Sequence, residues 1–169
     1  VARARTSIAS GRVEFIQTTY SIARQKLGEI FAAAHAQGIG IICRWVLESG
    51  LLAGKYEPGH EFAWPDTRNR YRPEERDRLL RVGHELKDKL PEGHDSPVQL
   101  AAAFALAEPA VSGILLGGVS AEQVTCNMAI TTLPPLPPQL VADLKSIYGP
   151  RNDEFNPTAA FQGVPSVRH

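Results

Sequence analysis

Three short segments with the pattern of strands alternate with stretches of helical periodicity, and this alternation limits the fold to a parallel α/β arrangement. Residues 13–18 alternate apolar and polar side chains, and residues 39–43 are a continuous apolar run, as expected of a strand covered on both faces. The third candidate strand, residues 111–116, ends in the apolar residues Ile114, Leu115 and Leu116. Parallel strands need long crossover connections, which helices usually supply. The sequence therefore predicts three parallel strands with flanking helices. The helices are expected at residues 21–37, 73–90, 96–107, 120–130 and 137–148.

The number of strands also limits the architecture. Three strands cannot close a barrel, but the order of elements suits about three of the eight units of a (β/α)8 barrel. The fold class is therefore predicted as α/β, the C-terminal part of a (β/α)8 TIM barrel, over residues 1–148, with a loosely ordered tail at 149–169. Residues 2–11 have the pattern of the last turn of a helix, stopped by Gly11, which predicts that the front of the domain is missing.

Composition excludes several classes of protein. With 43% hydrophobic and 21% charged residues, the chain can form a core and is not disordered. Eighteen basic and eighteen acidic residues cancel, which argues against nucleic acid or a membrane surface as partner. Cys43 and Cys126 lack a CxxC spacing and are expected to be reduced core thiols. No run approaches the roughly 18 apolar residues of a membrane span, so we expect a cytoplasmic protein.

A glycine turn before a helix is the first candidate for a binding site. The run at 111–116 leads into Gly117 and Gly118, and Ser120 then opens a helix. Backbone N–H groups and the helix dipole at such a turn favour a phosphate, and glycine permits its close approach. Ser120 and Gln123 also form a capping-box pattern, which satisfies the helix donors without a ligand. Both interpretations stay open on this segment alone.

Four pieces in register resemble one known family. They are FIQTTYSI (residues 15–22), GIGIICRWVLESGLLAGKY (38–56), PDTR (65–68) and LAAAFALAEPAVSGILLGGVSAEQVTCN (100–127). In order and spacing they resemble the C-terminal half of aldo-keto reductases, most closely the bacterial and potassium-channel β-subunit branch. The resemblance covers residues 13–130. It implies a (β/α)8 barrel that binds NADP(H) in an extended conformation across the carboxyl ends of its strands.

The resemblance implies cofactor-binding roles for residues at the ends of the first two strands. Gln17 would hydrogen-bond the nicotinamide carboxamide, since an amide offers a donor and an acceptor together; alternatively, it satisfies a neighbouring backbone group. Arg44 stands where the family often has an aromatic residue, and its planar guanidinium can stack while adding charge near the pyrophosphate. Val46 replaces the family's proline. The loop would line the cofactor through Trp45, Val46, Leu47 and Ser49.

The remaining matches concern the phosphates and the adenine. Lys55 and Arg68 match positions that approach the cofactor phosphates from the long glycine- and proline-rich loop at 44–72, although each alone is an ordinary surface cation. The turn and helix that would hold the 2′-phosphate and adenine are matched at Gly117, Val119, Gln123 and Asn127. Val119 offers no side-chain donor and Cys126 replaces the usual glutamate. The resemblance thus implies NADP(H), with NAD(H) left open.

The catalytic residues implied by the resemblance are absent from this sequence. In the family a Tyr protonates the carbonyl oxygen with help from Lys, Asp and His, and all four lie on earlier strands. None of Tyr20, Tyr56, Tyr71 and Tyr148 falls at the place of the catalytic tyrosine. No metal site is expected, because His35, His60, His84 and His94 show no paired ligand spacing.

The predicted function is an NAD(P)H-dependent reductase of aldehydes or ketones. This chain would be its cofactor-binding part, inactive in isolation, and the partner would be a small carbonyl substrate. Two alternatives remain at this stage. One is a nucleotide-sensing regulatory subunit of the same fold, and the other is an assembly surface that binds no ligand.

Overall fold

The computed structural model describes residues 1–150, which contain one parallel sheet of three strands. The strands are β1 (Phe15–Thr19), β2 (Gly40–Arg44) and β3 (Val111–Ile114), in the spatial order β1-β2-β3. Both pairs are parallel, and β1 pairs with β2 from Phe15↔Gly40 to Thr19↔Arg44. The predicted fold class is confirmed, since three parallel strands are flanked by helices. The predicted tail lies mostly outside the described residues.

Six α-helices and several short 3₁₀ segments connect and cover the strands within residues 1–150. The α-helices are α1 (Ala2–Ala9), α2 (Phe31–Ala36), α3 (Pro73–Glu85), α4 (Pro97–Leu106), α5 (Ala121–Ala129) and α6 (Pro138–Tyr148). The 3₁₀ segments are Lys26–Ile30, Glu48–Ala53, Thr67–Arg70, Leu86–Lys89 and Ile130–Thr132. Local signals explain the helix starts. Ser96 caps α4 by accepting a hydrogen bond from the Gln99 N–H, and Pro97 takes the first helical position.

The predicted helix at 21–37 is wrong in its first part. Residues 21–25 form a tight turn, in which Ser21 and Arg24 exchange backbone hydrogen bonds of 3.1 and 3.0 Å. Helical structure begins only with the 3₁₀ segment at Lys26, and α2 follows. The turn prevails over helical periodicity because it places the Ser21 and Arg24 side chains on a buried carboxylate from the loop after β2.

The core lies on one face of the sheet. Thr18, Ile41 and Cys43 face the helices and are buried, whereas Gln17 is exposed and Phe15 is 60% exposed on the opposite face. This second face is called the open face below. The expectation that residues 39–43 are covered on both faces is therefore wrong within the described chain. The Phe15 ring packs over Gly40 on the open face, where a residue with a Cβ would collide with the ring.

Two further expectations concern cysteine and membranes. Cys43 is a buried core thiol as predicted, but Cys126 is exposed, because no side chain of α5 is buried. The description of Cys126 as a core thiol was wrong. None of the helices formed by residues 1–150 has the length and apolar character needed to cross a membrane.

Candidate functional site

The carboxyl ends of the three strands meet at one edge of the sheet, because all the strands are parallel. Hydrogen bonds continue past the strands: the Tyr20 N–H donates to the Arg44 carbonyl at 3.3 Å, and the Leu115 N–H donates to the Cys43 carbonyl at 2.8 Å. The loop after β2 and the turn after β3 therefore start from adjacent points. In α/β proteins this edge is where ligands bind.

Gln17 and Arg44 are brought together on the open face at this edge. Gln17 pairs with Ile42, and Arg44 lies two residues beyond Ile42 on the same strand. Since side chains two residues apart on a strand point to the same face, Gln17 and Arg44 share one face of the sheet. Within residues 1–150 the Gln17 amide forms no side-chain hydrogen bond, so it does not satisfy a neighbouring backbone group. The Arg44 guanidinium lies 5.0 Å from the centroid of the Trp45 ring, which holds its plane beside the strand end.

The loop after β2 has an unusual backbone. Trp45, Glu48 and Ser49 adopt positive φ angles of 59°, 48° and 57°, and Gly50 follows with φ 83°. Each non-glycine residue in this region costs on the order of 1 kcal/mol, and such residues cluster at functional sites. Val46 is only 1% exposed and packs in the core, so any contact of Val46 with a ligand would come from its backbone. Leu47 also packs partly against the core.

A buried carboxylate, absent from the predicted site, fixes this loop. Glu48 has 0% exposure and accepts hydrogen bonds from the Ser21 hydroxyl, the Arg24 Nε and the Arg24 Nη2, each at 2.8 Å. Arg24 also lies 3.6 Å from Glu75 of α3. One sequence signal could have revealed the pair, because Glu48 directly follows the apolar residues Trp45, Val46 and Leu47, and a carboxylate drawn into an apolar core needs a partner.

The exposed side of the loop ends in a pair of hydroxyl groups. The Ser49 Oγ lies 3.2 Å from the hydroxyl of Tyr71, whose ring is buried. Burial raises the pKa of Tyr71 to about 12, and the nearby charge of Glu48 adds to this effect. The contact with the Tyr71 hydroxyl, whose ring is fixed in the core, holds the Ser49 side chain in place.

Two predicted phosphate-binding cations meet on one aromatic ring in the long loop. The Lys55 Nζ lies 5.3 Å and the Arg68 Cζ lies 4.8 Å from the centroid of the Tyr56 ring. Arg68 also lies 3.9 Å from the Phe62 ring and donates to both carboxylate oxygens of Asp66, at 2.9 and 2.5 Å. These hydrogen bonds hold the pKa of Asp66 at about 2. A phosphate would have to share Arg68 with Asp66.

The turn after β3 has the predicted Ser120 cap, but the reciprocal bond of the Gln123 side chain goes to Val119, one residue before the cap. The Ser120 Oγ accepts from the Gln123 N–H at 3.2 Å, and the Gln123 Oε1 accepts from the Val119 N–H at 3.0 Å. The Asn127 Nδ2 donates to the Gly117 carbonyl at 3.2 Å. The amides of Gln123 and Asn127 thus also shape the turn from inside. Val119 is 94% exposed and projects from it.

Residues 8–149 match the family model described as the Aldo/keto reductase family. The chain belongs to this family. It is 31% identical over 116 residues to a probable voltage-gated potassium channel subunit beta from Oryza sativa subsp. japonica, covering 65% of this chain and 35% of that protein. The predicted family is therefore confirmed.

Solved structures agree on the fold. The holo form of the aldo-keto reductase AKR11C1 from Bacillus halodurans superposes with a TM-score of 0.62 at 22% identity, covering 83% of this chain and 45% of that chain. Its apo form gives a TM-score of 0.64 at 20% identity, covering 88% and 50%. The present aldo/keto reductase chain thus spans at most about half the length of these relatives.

The predicted residues of this aldo/keto reductase fall into three groups. The first contains Gln17, Arg44 and the loop at 45–49, which share the edge formed by β1 and β2. The second contains the cations Lys55 and Arg68 on the Tyr56 ring, and the third is the turn at 117–127. Within residues 1–150, no three His, Cys, Asp or Glu side chains are grouped so that they could hold a metal ion.

Proposed function

We propose that this chain is the cofactor-holding part of an NAD(P)H-dependent oxidoreductase that reduces aldehydes or ketones to alcohols. One observation carries the proposal. The free amide of Gln17 and the Arg44 guanidinium lie on the open face, beside a left-handed loop fixed by a buried carboxylate. An exposed amide without a protein partner fits a nicotinamide carboxamide, which needs one donor and one acceptor.

The other residues have complementary roles in this proposal. Arg44, kept beside the strand end by Trp45, supplies a planar cation to the nicotinamide and pyrophosphate. Ser49 offers a hydroxyl held by Tyr71, and Val46 and Leu47 would contribute their backbone, because their side chains pack against the core. Lys55 and Arg68 approach the phosphates. When bound, the cofactor supplies the hydride for the carbonyl carbon.

The proton for the carbonyl oxygen would come from outside this sequence. Tyr20 is 2% exposed and donates to Glu108 at 2.9 Å, and burial together with Glu108 raises the pKa of Tyr20 well above its ordinary value. Tyr71 is buried with a raised pKa as well. Both rings are buried and both hydroxyls already have a side-chain partner, Glu108 for Tyr20 and Ser49 for Tyr71, which supports assigning the Asp, Tyr, Lys and His of the family to another part of the barrel.

The turn after β3 would hold the adenosine end of the cofactor. The cofactor would be NADP(H), and NAD(H) would bind more weakly. The Gln123 Nε2 stays available as a donor while the Gln123 Oε1 accepts from Val119, and the first turn of α5 adds backbone N–H groups. Because Val119 provides no cation, the preference for a 2′-phosphate should be modest.

Cofactor titration of the full-length protein that carries this chain tests the proposal. We expect NADPH fluorescence to change on binding, and Gln17→Ala to raise the Kd about threefold to tenfold through the lost hydrogen bonds. Gln139→Ala is the matched control, since Gln139 is exposed on α6 and donates to Asp143. No fluorescence change with NADPH or NADH up to about 1 mM would contradict the proposal, because cofactor constants rarely exceed this range.

A regulatory subunit that senses the nucleotide is the second candidate. The similarity to the Oryza sativa protein described as a probable voltage-gated potassium channel subunit beta favours it. Aldehyde-dependent NADPH oxidation by the full-length protein separates the two. Turnover supports the reductase, and tight cofactor binding without turnover supports the sensor.

A further inference from the structure

We infer that Glu48 is a positioning residue, whose buried carboxylate fixes the loop after β2 against the turn after β1 and so shapes the cofactor site. The inference rests on the proposed function and adds to it the residue on which the geometry of the site depends. Glu48 would not touch the cofactor, because its side chain is wholly buried.

The contacts of Glu48 join the two segments that lead away from the cofactor edge. Its carboxylate belongs to the loop after β2, whereas Ser21 and Arg24 belong to the turn that directly follows β1. Gln17 lies on β1 and Arg44 ends β2. The pair therefore ties the turn that follows the strand carrying Gln17 to the loop that follows the strand ending in Arg44.

The geometry of the pair makes it a rigid connection. Arg24 presents Nε and Nη2 to the two carboxylate oxygens, each at 2.8 Å, which is the bidentate arrangement that fixes both planes. The two side chains are 9% and 0% exposed, so water does not compete for these bonds. A bidentate pair in a dry site orients the loop more strictly than apolar packing does.

The backbone of the loop after β2 is strained and needs a contact that keeps it in this conformation. Trp45, Glu48 and Ser49 have backbone angles in the left-handed region, which is unfavourable for residues that carry a side chain. Without its anchor the loop would populate other conformations. The apparent cofactor affinity would then fall in proportion to the fraction of molecules with the loop in place.

Glu75 provides a matched control for this role. It lies 3.6 Å from the same Arg24 and forms a bidentate pair with Arg78, but it belongs to α3 and makes no hydrogen bond to the loop. A general loss of stability should follow from changing either carboxylate. A change in cofactor affinity should follow only from changing Glu48.

The experiment measures NADPH Kd by fluorescence, together with Tm, for the full-length protein and its Glu48→Gln and Glu75→Gln variants. We expect Glu48→Gln to raise the Kd about tenfold or more, which corresponds to a loop in place in about one molecule in ten. Glu75→Gln should lower Tm while its Kd stays within about twofold of the wild-type value. An unchanged Kd for Glu48→Gln, or an equal rise for both variants, would overturn the inference.

A milder variant covers the case in which Glu48→Gln does not fold. Ser21→Ala removes one of the three hydrogen bonds to Glu48 and should raise the Kd about threefold. A Ser21→Ala protein that folds and binds NADPH as the wild type does would then refute the role of Glu48. If the wild-type protein binds neither NADPH nor NADH, the proposed function fails, and the inference fails with it.

Discussion

Replacing Arg24 by methionine should be among the most destabilising single changes in this chain. The change Arg24→Met keeps an apolar stem of similar reach but leaves the Glu48 carboxylate, at 0% exposure, with a single hydrogen bond from Ser21. Breaking a buried ion pair by removing one partner costs about 3–5 kcal/mol, because the remaining charge is uncompensated. Exposure of the pair is too low for solvent to reduce this cost.

The expected loss is large compared with the stability of a domain of this size. Such domains are stable by about 5–15 kcal/mol, so the variant should lose a third or more of its stability. A loss of 3–5 kcal/mol corresponds to a fall in Tm of about 6–20 °C for a domain of about 150–250 residues, and to a smaller fall in a larger protein. Urea unfolding of the full-length protein, followed by circular dichroism at pH 7, measures the difference in free energy of unfolding between the two proteins.

A double variant separates lost charge pairing from lost packing. In Arg24→Met combined with Glu48→Met, both charges are replaced by apolar side chains of similar volume, which is often close to neutral for buried pairs. We expect the double variant to unfold within about 2 kcal/mol of the wild type, the remaining loss coming from the unpaired Ser21 hydroxyl. A single variant that loses less than about 1 kcal/mol, or a double variant that is the less stable of the two, would refute the reasoning.

Three further predictions concern other parts of the chain. Burial raises the pKa of Cys43 to about 12, so only the exposed Cys126 should react quickly with a thiol reagent at pH 8. The variant Cys126→Ser should then show no fast reaction, and two fast-reacting thiols in the wild type would contradict the prediction. The hydrogen bonds from Arg68 hold the pKa of Asp66 at about 2, below its ordinary value of 3.8. The stability that these bonds contribute is therefore present above pH 3.8 and lost as the pH falls through 2. An ordinary pKa of this carboxyl in an NMR titration would contradict the prediction. Val119→Arg should increase the ratio of the NADH Kd to the NADPH Kd about fivefold, because an exposed charge pair contributes on the order of 1 kcal/mol. An unchanged ratio would mean that the 2′-phosphate does not lie near Val119.

The fold could be predicted from the sequence where the signals are local. Strand positions followed from the apolar runs, and the start of α5 followed from Ser120 and Gln123, which interact three residues apart. The helix predicted at 21–37 failed at its start, because the turn at Ser21 and Arg24 depends on Glu48, 24 positions beyond Arg24 in the chain. Periodicity carries no information about a contact over such a separation, and the tertiary contact overrides the local preference.

The candidate site shows the same division between local and distant contacts. Gln17 and Arg44 were placed by resemblance, and the parallel register puts both on the open face. Arg68 was predicted as a phosphate partner, yet its carboxylate partner Asp66 is only two residues away and was visible in the sequence. A bidentate carboxylate neutralises the charge that a phosphate would use, so the loop at 66–68 is formed before any cofactor arrives. If Arg68 contributes to cofactor binding, the phosphate must either displace Asp66 or use the donors that Asp66 leaves free. Affinity gained at Arg68 would then be the difference between two similar ion pairs, which makes Gln17, Arg44 and the loop held by Glu48 the more decisive part of the site.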